Sequence, residues 1–184
     1  MDIAFIDIDG IIADNKVRAD AAQAIASTAT AQLSNYMDSK QIDQAQKSVF
    51  YHATTFYNPE SLYLDALIPG SVESLIALQE RGFIVILCSS RPESLRSATT
   101  GWLNDHGVPY DHLVLKSSSA QFTKTVAWKA TTLDTLAMFL NASHAIFVDD
   151  EAANIDEVTK HLDGRYHLNV YSDLPSAVRG EPTK

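Results

Sequence analysis

Residues 3–10 read IAFIDIDG, an apolar run that ends in two aspartates and a glycine. The run is too short for a helix and uniformly apolar, which is typical of a strand covered on both faces in a parallel sheet. Asp7 and Asp9 share one side of an extended chain, where a divalent cation or a proton would relieve their mutual repulsion. Gly10 permits a sharp exit from the strand. A solvated strand end is the alternative interpretation.

Apolar runs of the same kind recur along the chain and alternate with helical patterns. Further strands are predicted at residues 83–87, 113–115, 145–148 and 167–170. Helices are predicted at residues 71–81, 93–106, 126–140 and 151–161. This alternation predicts an α/β fold, a doubly wound, Rossmann-like parallel sheet of about five strands. Ligands of such sheets bind beyond the carboxyl ends of the strands.

A long segment after the first strand interrupts this alternation. Residues 11–68 hold no convincing strand, and the composition of residues 21–32 and 42–56 predicts a mostly helical insertion. Partial disorder is the alternative, because the segment is rich in alanine, threonine and glutamine. The predicted division is a core of residues 1–14 and 67–175, an insertion of residues 15–66 and a flexible tail of residues 176–184.

The composition narrows the class of protein. The chain has 184 residues, of which 46% are hydrophobic, and its one cysteine excludes a disulfide framework and a cysteine-based zinc cluster. Lysine and arginine number 14 against 23 aspartates and glutamates, a net charge of −9, which argues against binding to long duplex nucleic acid. The sequence predicts neither a membrane-spanning segment nor a signal peptide, so we expect a cytoplasmic protein without a membrane partner.

Polar residues also follow the second predicted strand. Ser89, Ser90 and Arg91 precede a helix, where a hydroxyl and free backbone N–H groups can hold a phosphate oxygen. Capping of that helix by a serine is the alternative. Lys116 and Lys129 can offset the charge of a buried carboxylate or a phosphate, although a solvated position is more common for a single lysine.

A second acidic cluster follows the run at residues 145–148. It consists of Asp149, Asp150 and Glu151. In a doubly wound sheet this strand can lie next to the first strand, and the two clusters then offer hard oxygen ligands of the kind that Mg²⁺ prefers. An acidic surface turn is the alternative, but it would not explain the apolar run before it.

The order of these motifs resembles the haloacid dehalogenase superfamily of phosphohydrolases. Residues 7–10 are similar to its first motif, Ser89 to the strand-end hydroxyl of the second, Lys129 to the third, and residues 149–150 to the acidic fourth. The resemblance spans nearly the whole chain. It implies that the insertion, residues 15–66, is a helical cap.

A narrower resemblance is to the phosphatase domain of bacteriophage polynucleotide kinase/phosphatases. It rests on residues 7–15 with Arg18 shortly after, and on residues 89–111. Those relatives often have threonine where this chain has Ile11, and arginine where it has Lys116. Both departures bear on the identity of the substrate more than on the type of reaction.

The superfamily resemblance implies a Mg²⁺-dependent phosphomonoester hydrolase that works through an aspartyl-phosphate. Asp7 would attack phosphorus, and Asp9 would protonate the leaving group and then activate water. Asp7, the backbone carbonyl of Asp9 and Asp150 would hold Mg²⁺, with Asp149 as an additional or alternative ligand.

Other residues of the motifs would contact the substrate. Ser89 and Lys129 would hold the phosphoryl oxygens. Further candidates for substrate contacts are Ser90, Arg91, Arg18, Gly10 and Lys116. The predicted substrate is a nucleotide or the 3′-phosphate end of a nucleic acid, and a phosphatase of small (deoxy)nucleoside monophosphates is the alternative. An alternative of another class is a catalytically silent binding protein of the same fold.

Overall fold

The secondary structure alternates between strands and helices in the computed structural model, which describes residues 1–52, 55–120, 123–162 and 164–183. Within these ranges the strands are β1 (Asp2–Ile6), β2 (Ala13–Asp14), β3 (Ala66–Leu67), β4 (Ile84–Pro92), β5 (His112–Lys116), β6 (His144–Val148) and β7 (Leu168–Tyr171). The α-helices are α1 (Lys16–Thr30), α2 (Ser39–Phe50), α3 (Ser71–Glu80), α4 (Arg96–Asp105), α5 (Thr125–Phe139), α6 (Ala152–Leu162) and α7 (Leu174–Arg179). Each helix in these ranges is too short or too polar to cross a bilayer.

Five of the strands form one parallel sheet in the order β5-β4-β1-β6-β7. The central strand β1 pairs with β4 on one side and with β6 on the other. Ile6 packs in the core that α3, α4 and α7 cover, whereas Phe5 packs in the core that α5 and α6 cover. Because helices cover both faces, both sets of alternate side chains are apolar. The predicted α/β fold with a doubly wound parallel sheet is confirmed.

The segment after β1 is helical, as predicted, and lies between the short antiparallel strands β2 and β3. The sequence does not predict these two strands. Helix α2 begins at Ser39 rather than at residue 42, because Asp38 and Gln41 form a capping box. The predicted helix at residues 42–56 ends at Phe50, and residues 53–54 of that range lie outside the described residues.

Two further boundaries differ from the prediction. Strand β4 continues past residue 87 to Pro92, since Ser89 and Pro92 still pair with β5 across a register shift. A flexible tail is expected from residue 176, but α7 extends to Arg179 and is capped by Asp173 at its start. The tail's last residue, Lys184, lies outside the described residues. The mobility of the tail and the division into core, cap and tail stay predictions.

Candidate active site

The turn that follows β1 carries Asp7, Asp9 and Gly10. The N–H of Asp7 donates to the carbonyl of Val148 at 2.9 Å, so the contact between β1 and β6 continues past the end of β1. Gly10 has a φ of +83°, in the left-handed region that favours glycine. A Cβ at this position would lie 2.1 Å from Oδ2 of Asp150. Glycine therefore allows the turn to approach Asp150 closely.

Three carboxylates meet at the adjoining ends of β1 and β6. One oxygen each of Asp7, Asp149 and Asp150 lies within 4.8 Å of the others. Oδ1 of Asp7 is buried and finds no hydrogen-bond partner among the described residues. Burial raises the pKa of Asp7 to about 7, although the positive charge of Lys129 acts in the opposite direction. The pKa of Asp150 is also raised, first by burial and then by the negative charge of Asp149. Converging carboxylates with one unpartnered oxygen fit a hard divalent cation.

Lys129, on α5, supplies positive charge to these carboxylates. Its Nζ donates to Oδ2 of Asp149 at 2.5 Å and lies 3.0 Å from Oδ2 of Asp7. Burial lowers the pKa of Lys129, but the charges of both aspartates outweigh burial and raise it above its usual value. Oδ1 of Asp149 accepts from Nδ2 of Asn154 at 2.9 Å and from the N–H of Glu151 at 3.0 Å. Both oxygens of Asp149 are therefore held by the protein.

Asp9 is bound by two buried arginines. Arg91 Nε donates to Asp9 Oδ2 at 2.9 Å and its Nη2 to Oδ1 at 2.8 Å, while Arg18 Nη2 donates to Oδ1 at 2.6 Å. The same arginines donate to the buried Asp65 at 2.8 and 2.9 Å. Burial alone would raise the pKa of Asp9, but Arg91 and then Arg18 lower it to about 2. Asp9 is therefore ionised in this arrangement.

The site opens into a cavity of about 680 Å³. The predicted site residues that line it are Asp7, Asp9, Gly10, Ser90, Lys116, Lys129 and Asp150. The other predicted site residues, Ser89, Asp149, Arg18 and Arg91, are almost completely buried. Ser89 Oγ accepts from the N–H of Arg91 at 3.2 Å, and Nζ of Lys116 donates to the carbonyl of Thr123 at 2.6 Å. The structure therefore brings most of the predicted residues to one site.

Arg18 and Arg91 bind carboxylates of the protein itself, and their predicted contacts with a substrate stay predictions. The sequence predicts that they touch the phosphate or sugar of a substrate, but their side chains have no exposed surface. Each guanidinium binds the carboxylates of Asp9 and Asp65. Nη1 of Arg91 is buried and has no hydrogen-bond partner among the described residues. The physical reason is that a buried guanidinium requires carboxylate partners, which these aspartates supply.

The sequence prediction omits Asp65. This residue is 47 positions from Arg18 and 26 from Arg91, so no local motif links the three. The available signal is that Asp65 is the one acid within the apolar residues 62–68. A charged side chain in such a stretch is buried only with partners, and the partners here are distant in sequence.

Solved structures similar to this chain include hydrolases and phosphatases. A haloacid dehalogenase-like hydrolase from Streptococcus pneumoniae aligns with a TM-score of 0.63 and 13% identity, covering 91% of this chain and 82% of its own. A phosphoserine phosphatase aligns with a TM-score of 0.58 and 13% identity, covering 98% and 90%. A chain of the Pnkp1/Rnl/Hen1 complex aligns at 0.57 and 16%, covering 92% of this chain but 44% of that one. The chain therefore has the haloacid dehalogenase-like fold.

A match to a family model identifies a family in addition to the fold. The model of the "PITM 1-3, LNS2 domain" matches residues 53–148, just over half of the chain. The chain belongs to this LNS2 domain family. The matched range includes Ser89 and Lys129 but neither Asp7 nor Asp150, so the family match does not bear on the acidic cluster. A comparison with curated proteins gave no match.

Proposed function

We propose that this protein is a phosphomonoester hydrolase in which Asp7 is the nucleophile. The observation that carries the proposal is the setting of Asp7, which lines the cavity, lies 3.0 Å from the ammonium of Lys129 and keeps one oxygen free of hydrogen bonds among the described residues. The haloacid dehalogenase-like fold and the phosphatases among its structural neighbours support the same reaction class.

The reaction divides into two displacements. In the first, a carboxylate oxygen of Asp7 bonds to phosphorus, the bond from phosphorus to the ester oxygen breaks, and the leaving alcohol takes a proton from Asp9. In the second, Asp9 takes a proton from water, the water oxygen bonds to phosphorus, and the acyl phosphate bond breaks to release inorganic phosphate. Lys129 offsets negative charge on Asp7 and on the transferring group throughout.

The protonation state of Asp9 suits the second displacement directly. With a pKa lowered to about 2, below its usual range because Arg91 and Arg18 outweigh burial, Asp9 is ionised, which is the form that takes a proton from water, although the same arginines make it a weak base. Protonating a leaving alcohol requires Asp9 first to take up a proton, which both arginines oppose. Weaker contact with either arginine would favour that first step.

The carboxylates of the site fit Mg²⁺. Asp7, Asp150 and the backbone carbonyl of Asp9 would hold the ion, and Asp149 would act mainly through Lys129 and Asn154, which already bind both of its oxygens. Bound there, Mg²⁺ would reduce the repulsion between the aspartates and an incoming phosphate.

The proposed substrate is a nucleotide or the 3′-phosphate end of a nucleic acid. The resemblance to bacteriophage polynucleotide phosphatases supports it, as does the structural similarity to chains of the Pnkp1/Rnl/Hen1 complex, which is described as an RNA repair complex. A phosphatase of (deoxy)nucleoside monophosphates is the second candidate. It is favoured by the charge of residues 15–66, where four basic and five acidic residues leave no excess of positive charge for a polynucleotide. The cytoplasmic location stays a prediction.

The test compares Asp7→Asn with Asp105→Asn, which changes an exposed aspartate at the end of α4. Phosphate release from p-nitrophenyl phosphate, nucleoside monophosphates and 3′-phosphorylated oligonucleotides is measured with Mg²⁺ and with EDTA. We expect Asp7→Asn to lose more than about a hundredfold in rate and Asp105→Asn to keep it. Mass spectrometry of acid-quenched wild-type protein should detect covalent phosphate that Asp7→Asn lacks.

Two results would contradict the proposal. Activity of Asp7→Asn above about a hundredth of the wild-type rate would exclude Asp7 as nucleophile, provided circular dichroism shows that both variants are folded. Absence of wild-type activity on every ester, with Mg²⁺ and other divalent ions, would favour the catalytically silent binding protein.

A further inference from the structure

A second cavity of about 380 Å³ adjoins the first. We call the 680 Å³ cavity over Asp7 and Lys129 the inner chamber and the second cavity the outer chamber. The residues that line both are Tyr51, Tyr57, Ser90, Lys116 and Thr125. Because the chambers share this wall, a ligand with its phosphoryl group at Asp7 can place its remaining part in the outer chamber.

The outer chamber differs from the inner chamber in charge. The charged residues among its described lining are Lys116 and Glu93, which have opposite signs, whereas the inner chamber holds the acidic cluster and Lys129. The rest of the outer wall is mostly hydroxyl groups and one proline: Ser90, Pro92, Ser94, Ser117, Ser118 and Thr125. Such a wall favours a neutral group that carries hydroxyls. A second phosphate would require more positive charge.

Two tyrosines form an aromatic wall between the chambers. The rings of Tyr51 and Tyr57 lie 5.7 Å apart at an interplanar angle of 33°. Tyr57 packs against Phe56 at 5.4 Å, and the guanidinium of Arg18 lies 4.1 Å from the centre of the Phe56 ring. Tyr57 is thereby held in place, while Tyr51 remains 54% exposed. An exposed ring beside a fixed one offers a surface for a flat ligand group.

We propose that the outer chamber binds the leaving group of the substrate, and that this group is a single neutral nucleoside whose base packs on Tyr51 and Tyr57. The inference rests on the proposed phosphatase function and selects a mononucleotide over a polynucleotide end. A volume of 380 Å³ lies within the range of small-molecule pockets, about 300–1,000 Å³. The hydroxyl-rich wall matches the sugar.

The test uses Tyr51→Leu, which removes the flat ring but keeps apolar volume. Tyr51→Phe keeps the ring, and Tyr36→Leu is the matched control, because Tyr36 is 85% exposed in the same insertion and is absent from the described lining of either chamber. For each variant kcat/KM is measured on thymidine 3′- and 5′-monophosphate, on a 3′-phosphorylated oligonucleotide, and on glycerol 2-phosphate, which cannot stack.

We expect Tyr51→Leu to lower kcat/KM for a thymidine monophosphate by roughly 5- to 100-fold, the usual effect of losing one base-stacking ring, and to leave glycerol 2-phosphate within about twofold. Tyr51→Phe and Tyr36→Leu should resemble the wild type on both substrates. Equal losses on both substrates would refute the stacking wall. A wild-type preference for the oligonucleotide would refute the single neutral nucleoside.

A binding measurement separates this inference from the proposed function. Calorimetric titration of thymidine monophosphate into Asp7→Asn protein, and into the same protein carrying Tyr51→Leu, needs no turnover. If Tyr51→Leu weakens binding of thymidine monophosphate but the wild-type protein hydrolyses no ester, the outer chamber is supported and the phosphatase function is refuted. If the wild-type protein hydrolyses several esters and Tyr51→Leu changes neither kcat/KM nor binding, the phosphatase function is supported and the outer chamber is refuted.

Discussion

Substitution of Gly10 by alanine tests the close approach between the first motif and the fourth. A Cβ on Gly10 would lie 2.1 Å from Oδ2 and 2.4 Å from Cγ of Asp150, below the 3.0 Å that real Cβ contacts respect. Asp150 is exposed on the cavity wall and can rotate away. The substitution should therefore remove the Asp150 carboxylate from its place beside Asp7, in addition to straining the backbone.

Gly70 provides a matched control for the strain. Its φ is +82°, against +83° at Gly10, and a Cβ there would meet no atom of the described residues within 4 Å. The left-handed conformation costs an alanine about 1–2 kcal/mol, and 1 kcal/mol lowers the Tm of a domain of this size by about 2–4 °C. Gly70→Ala should therefore lower the Tm by about 2–8 °C, and Gly10→Ala by a similar amount in the absence of metal.

The two variants should differ in their affinity for Mg²⁺ and in the turnover that depends on it. Loss of a supporting residue around a bound metal typically costs 10- to 100-fold in affinity, and loss of a ligand should cost at least as much. We expect Gly10→Ala to bind Mg²⁺ at least about tenfold more weakly by calorimetric titration, and to lose turnover of p-nitrophenyl phosphate accordingly, while Gly70→Ala keeps both. If both variants show the wild-type affinity for Mg²⁺ and the same turnover, the reasoning from the Asp150 contact is wrong.

Two further predictions concern buried carboxylates. Burial raises the pKa of Asp7 to about 7 from 3.8, so the native protein without metal binds more protons than the unfolded chain between those values, and its Tm in EDTA should fall as pH rises from about 4 to 7. Asp7→Asn should flatten this slope, and an unchanged slope would contradict the assignment. Asp65→Asn weakens the partner of the buried Arg18 and Arg91 and should lower the free energy of unfolding in urea by up to about 3–5 kcal/mol, whereas the exposed Asp20→Asn should change it little. Equal effects of the two substitutions would count against the buried network.

The sheet could be predicted from the sequence because its signal is local. A uniformly apolar run such as residues 3–6 reports burial on both faces, and the structure packs Phe5 and Ile6 into opposite cores. The ends of strands and helices are harder to predict from the sequence. Strand β4 continues through polar residues because it pairs with β5 beyond the apolar run, and that pairing depends on a neighbour that the local sequence does not specify.

The residues of the candidate site likewise differ in whether local sequence or a distant partner determines their contacts. Asp7, Asp150 and Lys129 follow strands or lie on a helix whose positions the fold determines, so their proximity could be predicted. The burial of Arg18 and Arg91 in ion pairs could not be predicted, because it depends on Asp65, which is far away in sequence. An arginine near a catalytic motif resembles a phosphate contact in sequence until its carboxylate partners are known.

Asp9 shows the chemical consequence of those distant contacts. The Asp-x-Asp spacing places Asp9 beside Asp7, the proposed nucleophile, but spacing does not set the pKa of Asp9, which Arg91 and Arg18 lower to about 2 despite burial. Arg18 lies on α1 of the insertion, whereas Arg91 lies on β4 of the sheet. We expect a displacement of α1 from the sheet to separate Arg18 from Asp9 and so to raise the pKa of Asp9. The proton-donor role that the motif predicts for Asp9 should then depend on the position of the insertion, which connects its place after β1 to the proposed chemistry of the site.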